Sequence, residues 1–123
     1  MSLGARLLVA LVLAVNVGGC DLFPVPFALR TAPAPAQACM DALIGGTLVR
    51  HAPSGLGIAG DDGPATTVEW PFGYAARDEG GRIALLDDHG RVVAREGDEV
   101  MVGGGFGTDV WHACGPVTVP AAS

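Results

Sequence analysis

The sequence predicts an all-β fold, a small antiparallel barrel of the OB-like type, with a small β-sandwich as the alternative. Three observations favour this class. Roughly six or seven short β-prone runs follow one another between turn signals. The sequence shows no convincing amphipathic helical periodicity. The chain also contains 19 glycines but only two Trp, one Tyr and four Phe, which favours short strands and turns over helices.

The strongest single element is a β-hairpin over residues 81–95. Its turn, Asp87-Asp88-His89-Gly90, begins with a side chain that can bond the following backbone and ends with a residue that tolerates a positive φ. The flanking runs are apolar on both faces, so the hairpin is expected inside a sheet or barrel wall. The predicted faces are Ile83, Leu85 and Val93 on one side, and Ala84, Leu86, Val92 and Ala94 on the other.

The remaining strands are predicted from β-branched and aromatic runs bounded by turn residues. They cover residues 42–50, 56–59, 66–70, 73–77, 99–102 and 117–119. The glycine-rich run 103–107 is predicted to be flexible. Residues 108–114 are predicted to hold a short turn of helix or an irregular loop.

The N-terminus has the pattern of an export signal. The apolar run of residues 7–17 is too short to span a bilayer, whose core needs about 20 helical residues, and matches the apolar region of a signal peptide. The following Val17-Gly18-Gly19-Cys20 resembles the lipobox of bacterial lipoproteins. That resemblance implies cleavage before Cys20 and a diacylglycerol thioether on its sulfur. An ordinary secreted protein with small residues near its cleavage site is the alternative.

These signals predict four segments: a signal peptide (1–19), a lipid-anchored linker (20–38), a small β-barrel domain (39–119) and a tail (120–123). The prolines of the linker favour an extended, semi-rigid spacer. Its apolar residues are predicted to rest either on the membrane surface or on the domain; they are Leu22, Phe23, Val25 and Phe27.

The charge of the chain argues against nucleic acid as a partner. The net charge is −6, and Arg6 is the one charged residue in residues 1–19, so the remainder carries −7 without any Lys. A domain of this kind lacks a basic footprint for nucleic acid, and its net charge repels an anionic membrane surface. We therefore interpret the acidic balance as a source of solubility.

The cysteines predict a disulfide. With Cys20 lipidated, Cys39 and Cys114 remain and bracket the domain, and an exported domain is where a disulfide persists. The alternative is a metal site that uses His112 and Cys114. Two ligands one residue apart, with no second pair, are a weak signal for such a site.

The sequence shows no catalytic constellation, and we expect no cofactor, no metal and no enzymatic activity. Ser54 does not lie in a Gly-x-Ser-x-Gly elbow, and residues 103–107 lack the Lys-Ser/Thr ending of a phosphate loop. The acidic pairs lie next to Gly, as turn chemistry requires. A less favoured hypothesis is a metal-binding protein or enzyme that uses His51, His89 and His112.

A further resemblance covers roughly residues 66–106. The strings that carry it are Glu69-Trp70-Pro71-Phe72-Gly73-Tyr74, then Asp87-x-x-Gly90-Arg91-Val92-Val93-Ala94-Arg95-x-Gly97-Asp98-x-Val100, then Gly103-Gly104-Gly105. Together they resemble a small β domain found in uncharacterised bacterial lipoproteins. The resemblance implies a fold and a location but no activity.

The aromatic residues are the candidates for binding. Trp70 continues the alternation of residues 66–69 and is assigned to the core, whereas the hydroxyl of Tyr74 favours the surface. Tyr74, Phe72 and Trp111 are the predicted binding residues for a sugar or peptide, by analogy with OB-like barrels.

The leading hypothesis is therefore a lipid-anchored, extracytoplasmic accessory or binding module of the cell envelope, expected to be a monomer. Its partner would be an envelope protein or a small ligand, in addition to the membrane that holds the anchor. The alternative is a structural stabiliser of an envelope protein.

Overall fold

The computed structural model describes residues 25–120, so the predicted signal peptide and lipobox lie outside the described residues. Residues 25–120 form nine β-strands and include no helix with the length and hydropathy that crossing a membrane would require. The strands are β1 Val25–Phe27, β2 Ala42–His51, β3 Gly55–Ala59, β4 Thr66–Glu69, β5 Ala75–Glu79, β6 Arg82–Leu86, β7 Val92–Arg95, β8 Glu99–Phe106 and β9 Val110–Thr118. The predicted all-β class is confirmed.

Five strands form a closed ring in the order β2-β3-β4-β9-β8. Every junction is antiparallel except that between β4 and β9, which is parallel. A closed ring with an odd number of strands cannot be antiparallel throughout, so one parallel junction is unavoidable. Counted along the chain, the ring strands run 1-2-3-5-4, which is the winding of a five-stranded OB-type Greek-key barrel.

The other four strands form a second sheet, β1-β5-β6-β7, with every junction antiparallel. The predicted hairpin is its β6–β7 half. In the turn, Asp87 Oδ1 accepts hydrogen bonds from the backbone N–H groups of Arg91 (3.0 Å) and His89 (2.9 Å). The bond from Arg91 contributes most to holding the pKa of Asp87 below its ordinary value. The turn therefore has the side chain–backbone chemistry that its sequence predicts.

The predicted faces of the hairpin are confirmed for Leu86 and Val92, which lie opposite each other, but wrong for Ala94. A β-bulge places Leu85 opposite Ala94 and Leu86 opposite Val92, so Val93 is an extra residue on its strand. Ala94 therefore shares a face with Leu85, because one extra residue inverts the alternation of everything that follows. All of Ile83–Leu86 is buried, as expected for an inner strand, while β7 is a sheet edge.

Two further predictions are wrong at the C-terminal end of the domain. Most of the glycine run is regular strand, since Gly103, Gly104 and Gly105 are buried within β8. Residues 110–114 are neither helix nor loop but the first half of β9. A Cβ on Gly103 would lie 3.1 Å from Cα of Gly115, so the two strands approach closely because both residues lack side chains. Without side chains there is no alternation for a sequence pattern to reveal.

Part of the predicted linker lies on the domain. Val25–Phe27 pairs with β5 as strand β1, and Phe27 and Leu29 pack against the core. Thr31 then forms a parallel bridge with Trp70. Of the two predicted alternatives for the apolar linker residues, Val25 and Phe27 therefore lie on the domain, whereas Leu22 and Phe23 lie outside the described residues.

One hydrophobic core joins the two sheets. Its largest fully buried side chain is Trp70, which is 0% exposed, so the predicted assignment of this residue to the core is confirmed. Its Nε1 donates a hydrogen bond of 3.0 Å to the carbonyl oxygen of Leu56. The other large members of the core come from both sheets: Leu48, Leu56, Ile58, Val68, Ile83, Leu85, Val100, Val102 and Trp111.

Candidate functional site

The predicted disulfide between Cys39 and Cys114 is confirmed. It joins residues 75 positions apart, with a Cα–Cα distance of 5.5 Å. Cys39 precedes β2 and Cys114 lies in β9, so the bond ties the segment that leads into the ring to the last ring strand. The competing use of Cys114 as a metal ligand is thereby excluded.

The three predicted binding residues do not form one platform. Trp111 is buried, and its indole packs edge-to-face against Phe106 with ring centroids 5.0 Å apart. Phe72 is exposed over 48% of its surface. Tyr74 is half-buried and packs against the core. Of the three, only Phe72 presents an open aromatic face to a ligand.

A tight turn separates Phe72 from Tyr74. The backbone N–H of Tyr74 donates to the carbonyl oxygen of Pro71 at 3.1 Å, and Gly73 at the third position has φ 84°, which is the geometry of a type II turn. Burial, reinforced by the carboxylates of Asp87 and Asp88, raises the pKa of the Tyr74 phenol. Tyr74 therefore packs against the core and lies within electrostatic range of the acidic hairpin turn.

Phe72 lies in a pocket of about 350 Å³, which we call the aromatic pocket. Its lining residues are Ala32, Pro35, Ala36, Pro71, Phe72, Asp88, Ala113 and Cys114. The pocket combines an aromatic ring, two prolines and one carboxylate, a set that suits an apolar group carrying a hydrogen-bond donor. Sequence reasoning found Phe72 but missed the linker residues, because no local pattern indicates that residues 32–36 return to the domain.

A larger depression of about 560 Å³ lies between residues 27–30 and residues 50–55, and we call it the anchor-side groove. Arg50 lines the groove. Its guanidinium donates hydrogen bonds to Glu96 Oε2 at 3.0 Å and to the carbonyl oxygen of Gly81 at 2.7 Å. It also lies 5.9 Å from the ring centre of Phe27. The hydrogen bond from Arg50 is the main cause of a lowered pKa at Glu96. Arg50 therefore links the barrel to the second sheet.

Residues 28–30, on the other side of the anchor-side groove, pack closely against the turn between β2 and β3. Arg30 N–H donates to the carbonyl oxygen of Ser54 at 3.1 Å, and Gly55 has φ 80° beneath the backbone of Ala28. The Ser54 hydroxyl is buried, donates to the Leu56 carbonyl oxygen at 2.8 Å and accepts from a backbone N–H at 3.3 Å. Ser54 thus holds the turn together and is not presented as a nucleophile.

Replacing Gly55 with alanine is expected to displace residues 28–30 from the turn. An alanine there would adopt an unfavourable positive φ, at a cost of about 1–2 kcal/mol, and its Cβ would also collide with the Ala28 carbonyl oxygen. Gly90 is the matched control, since its φ is 76° with open space around it. Denaturant unfolding of both variants measures the difference. Equal destabilisation would show that residues 28–30 do not press on the turn.

The histidines do not assemble into one site. His51 Nε2 lies 2.9 Å from Thr67 Oγ1, and His112 Nδ1 lies 3.1 Å from Glu69 Oε1, so each bonds a different residue of β4. His89 lies on the exposed hairpin turn, 3.7 Å from Asp88. Within residues 25–120, no three His, Cys, Asp or Glu side chains gather in a way that could hold a metal ion. The three-histidine hypothesis therefore has no geometric support.

The fold and these surfaces define a disulfide-linked, two-sheet β domain that carries the aromatic pocket and the anchor-side groove. No family model matches the chain, and neither a curated protein nor a solved structure matches it.

Proposed function

We propose that the chain is a lipid-anchored, extracytoplasmic binding or accessory module of the cell envelope without catalytic activity. The observation that supports this most is the disulfide between Cys39 and Cys114, because such bonds persist in oxidising compartments outside the cytosol. The lipobox-like Val17-Gly18-Gly19-Cys20 supplies the anchor in this proposal.

The aromatic pocket supports the binding role. Phe72 gives it an open ring for stacking, and the Asp88 carboxylate beside it is available as a hydrogen-bond acceptor. A sugar ring or a short peptide segment presents both an apolar face and donors. The proposed ligand of the aromatic pocket is therefore a sugar or a short peptide segment.

A different surface favours the second candidate, a structural stabiliser of an envelope protein. Leu43, which is 66% exposed, lies opposite Gly103 on the outer side of the ring. Met40, also exposed, lies against Gly105 of the same strand. Exposed apolar side chains that cover neighbouring positions of one strand are typical of a protein–protein contact.

The anchor is tested at Cys20. The mature protein isolated from membranes should begin at Cys20 and carry the mass of a diacylglycerol group on it. Replacing Cys20 with alanine should block lipidation and leave an uncleaved precursor. Intact-mass and peptide mass spectrometry measure both. An unmodified N-terminus at another position would refute the lipoprotein proposal.

The two candidate roles are separated by cross-linked pull-down from intact membranes with matched surface variants. Loss of the partner in Phe72→Ala, with retention in Leu43→Ser, supports binding at the aromatic pocket. The reverse pattern supports the structural role. Because both side chains are exposed, neither change should unfold the domain.

A further inference from the structure

The anchor-side groove and the proposed lipid attachment lie close together along the chain. β1 begins at Val25, five residues after Cys20, and a fully extended chain of that length spans at most about 18 Å. Phe27, which lines the groove, follows about 7 Å further along the strand. Whatever path the intervening residues take, a lipid on Cys20 therefore brings the start of β1 close to the bilayer surface.

The segment through which the lipid would be attached, which begins with β1, is also fixed within the domain. β1 pairs with β5 over Val25–Phe27, and the backbone then continues beside Trp70. Trp70 N–H donates to the Arg30 carbonyl oxygen at 3.0 Å, and Ala32 N–H donates to the Trp70 carbonyl oxygen at 2.9 Å. Because residues 25–32 are bonded to both sheets, Pro33 and Pro35, which follow them, cannot act as a hinge between the lipid and the domain. One side of the domain is thus held towards the lipid.

The charges that line the anchor-side groove differ from those of the whole domain. The groove lining contains Arg30 and Arg50 and no Asp or Glu, although the chain has 13 acidic residues. Arg50 forms an ion pair with Glu96. Arg30, in contrast, is exposed and forms no ion pair with any residue of 25–120. An acidic domain tethered close to an anionic surface is driven to turn its cationic side inward.

We propose that the domain sits directly on the membrane with the anchor-side groove facing the lipid, and that Arg30 binds the phosphate of an anionic phospholipid headgroup there. The guanidinium matches phosphate oxygens in geometry and charge. This inference rests on the proposed anchor at Cys20. It leaves the aromatic pocket available for a separate ligand.

The test uses the native, lipidated protein and an arginine-specific dicarbonyl reagent. The protein is labelled in neutral detergent, in vesicles of phosphatidylcholine, and in vesicles of phosphatidylcholine mixed with phosphatidylglycerol, and each arginine is followed by peptide mass spectrometry. Arg91 is the internal control, because its side chain is exposed on the β6–β7 turn and does not line the anchor-side groove. No substitution is needed, so misfolding cannot confuse the result.

We expect Arg30 to react several-fold more slowly in the phosphatidylglycerol vesicles than in detergent, with Arg91 unchanged. An unchanged ratio of Arg30 to Arg91 labelling would overturn the proposed orientation. Equal protection in the two kinds of vesicle would overturn the anionic headgroup as the ligand. The mass of the N-terminal peptide is measured on the same sample. A missing lipid on Cys20 would refute the anchor and this inference together, whereas a lipidated protein with a reactive Arg30 refutes this inference alone.

Discussion

Replacing Trp70 with alanine is expected to lower the free energy of unfolding by about 3–5 kcal/mol, the range for emptying a buried aromatic site. Trp70 is the largest fully buried side chain of the core to which both sheets contribute. The change also removes the hydrogen bond that its Nε1 donates to Leu56. For a domain of this size the melting temperature should fall by at least about 12 °C. Denaturant and thermal unfolding measure the two quantities.

Two neighbouring aromatic residues provide graded controls for Trp70. Phe72→Ala should change stability by less than about 0.5 kcal/mol, because the ring is largely exposed. Tyr74→Ala should lie between the two, since that ring is half-buried against the core. If Tyr74→Ala proved as costly as Trp70→Ala, the hydroxyl end of Tyr74 would have to be part of the core. If Trp70→Ala proved nearly neutral, the packing described for the core would be wrong.

Removing the disulfide is expected to cost roughly 4–5 kcal/mol. The bond closes a loop of 75 residues, and in the chain-entropy model a loop of that length loses this much freedom in the unfolded state. The double variant Cys39→Ser, Cys114→Ser should therefore melt at least about 15 °C lower than the wild type. Non-reducing peptide mapping of wild-type protein from the envelope should recover the Cys39–Cys114 peptide.

Reductant provides the control for the disulfide. It should lower the melting temperature of the wild type towards that of the double variant and leave the variant unchanged. A second variant with alanine at both positions separates the loss of the bond from the polarity of serine. Two free thiols in protein isolated from the envelope, or a double variant as stable as the wild type, would contradict the prediction.

Elements that depend on neighbouring residues were predictable. The hairpin turn follows from an Asp and a Gly at the required positions, and Trp70 follows from the alternation of the strand before it. The pairing of Cys39 with Cys114 required only a count of cysteines once Cys20 was assigned to the lipid. In each case the feature depends on a few neighbouring residues or on the number of residues of one type.

The glycines of β8 are the reason why the sequence pattern did not predict the full extent of β8 and β9. Strand patterns are read from alternating side chains, and Gly103–Gly105 have none to alternate. Their strand conformation comes from close contact with β9, which is more than five residues away in sequence and invisible to a local pattern. The bulge at Val93 could not be predicted for a related reason. In a run that is apolar on both faces, an extra residue does not change the hydrophobic pattern.

The sequence by itself determined the all-β class, the hairpin, the core tryptophan and the disulfide, because local turn chemistry, residue periodicity and cysteine number are sufficient for these features. Only the tertiary structure decided that β1 joins the second sheet, that Trp111 is buried while Phe72 lines a pocket, and that Arg30 and Arg50 lie on the side of β1. These features arise from contacts between segments far apart in the chain. Such contacts depend on the order in which the strands close the ring, and no short stretch of sequence specifies that order.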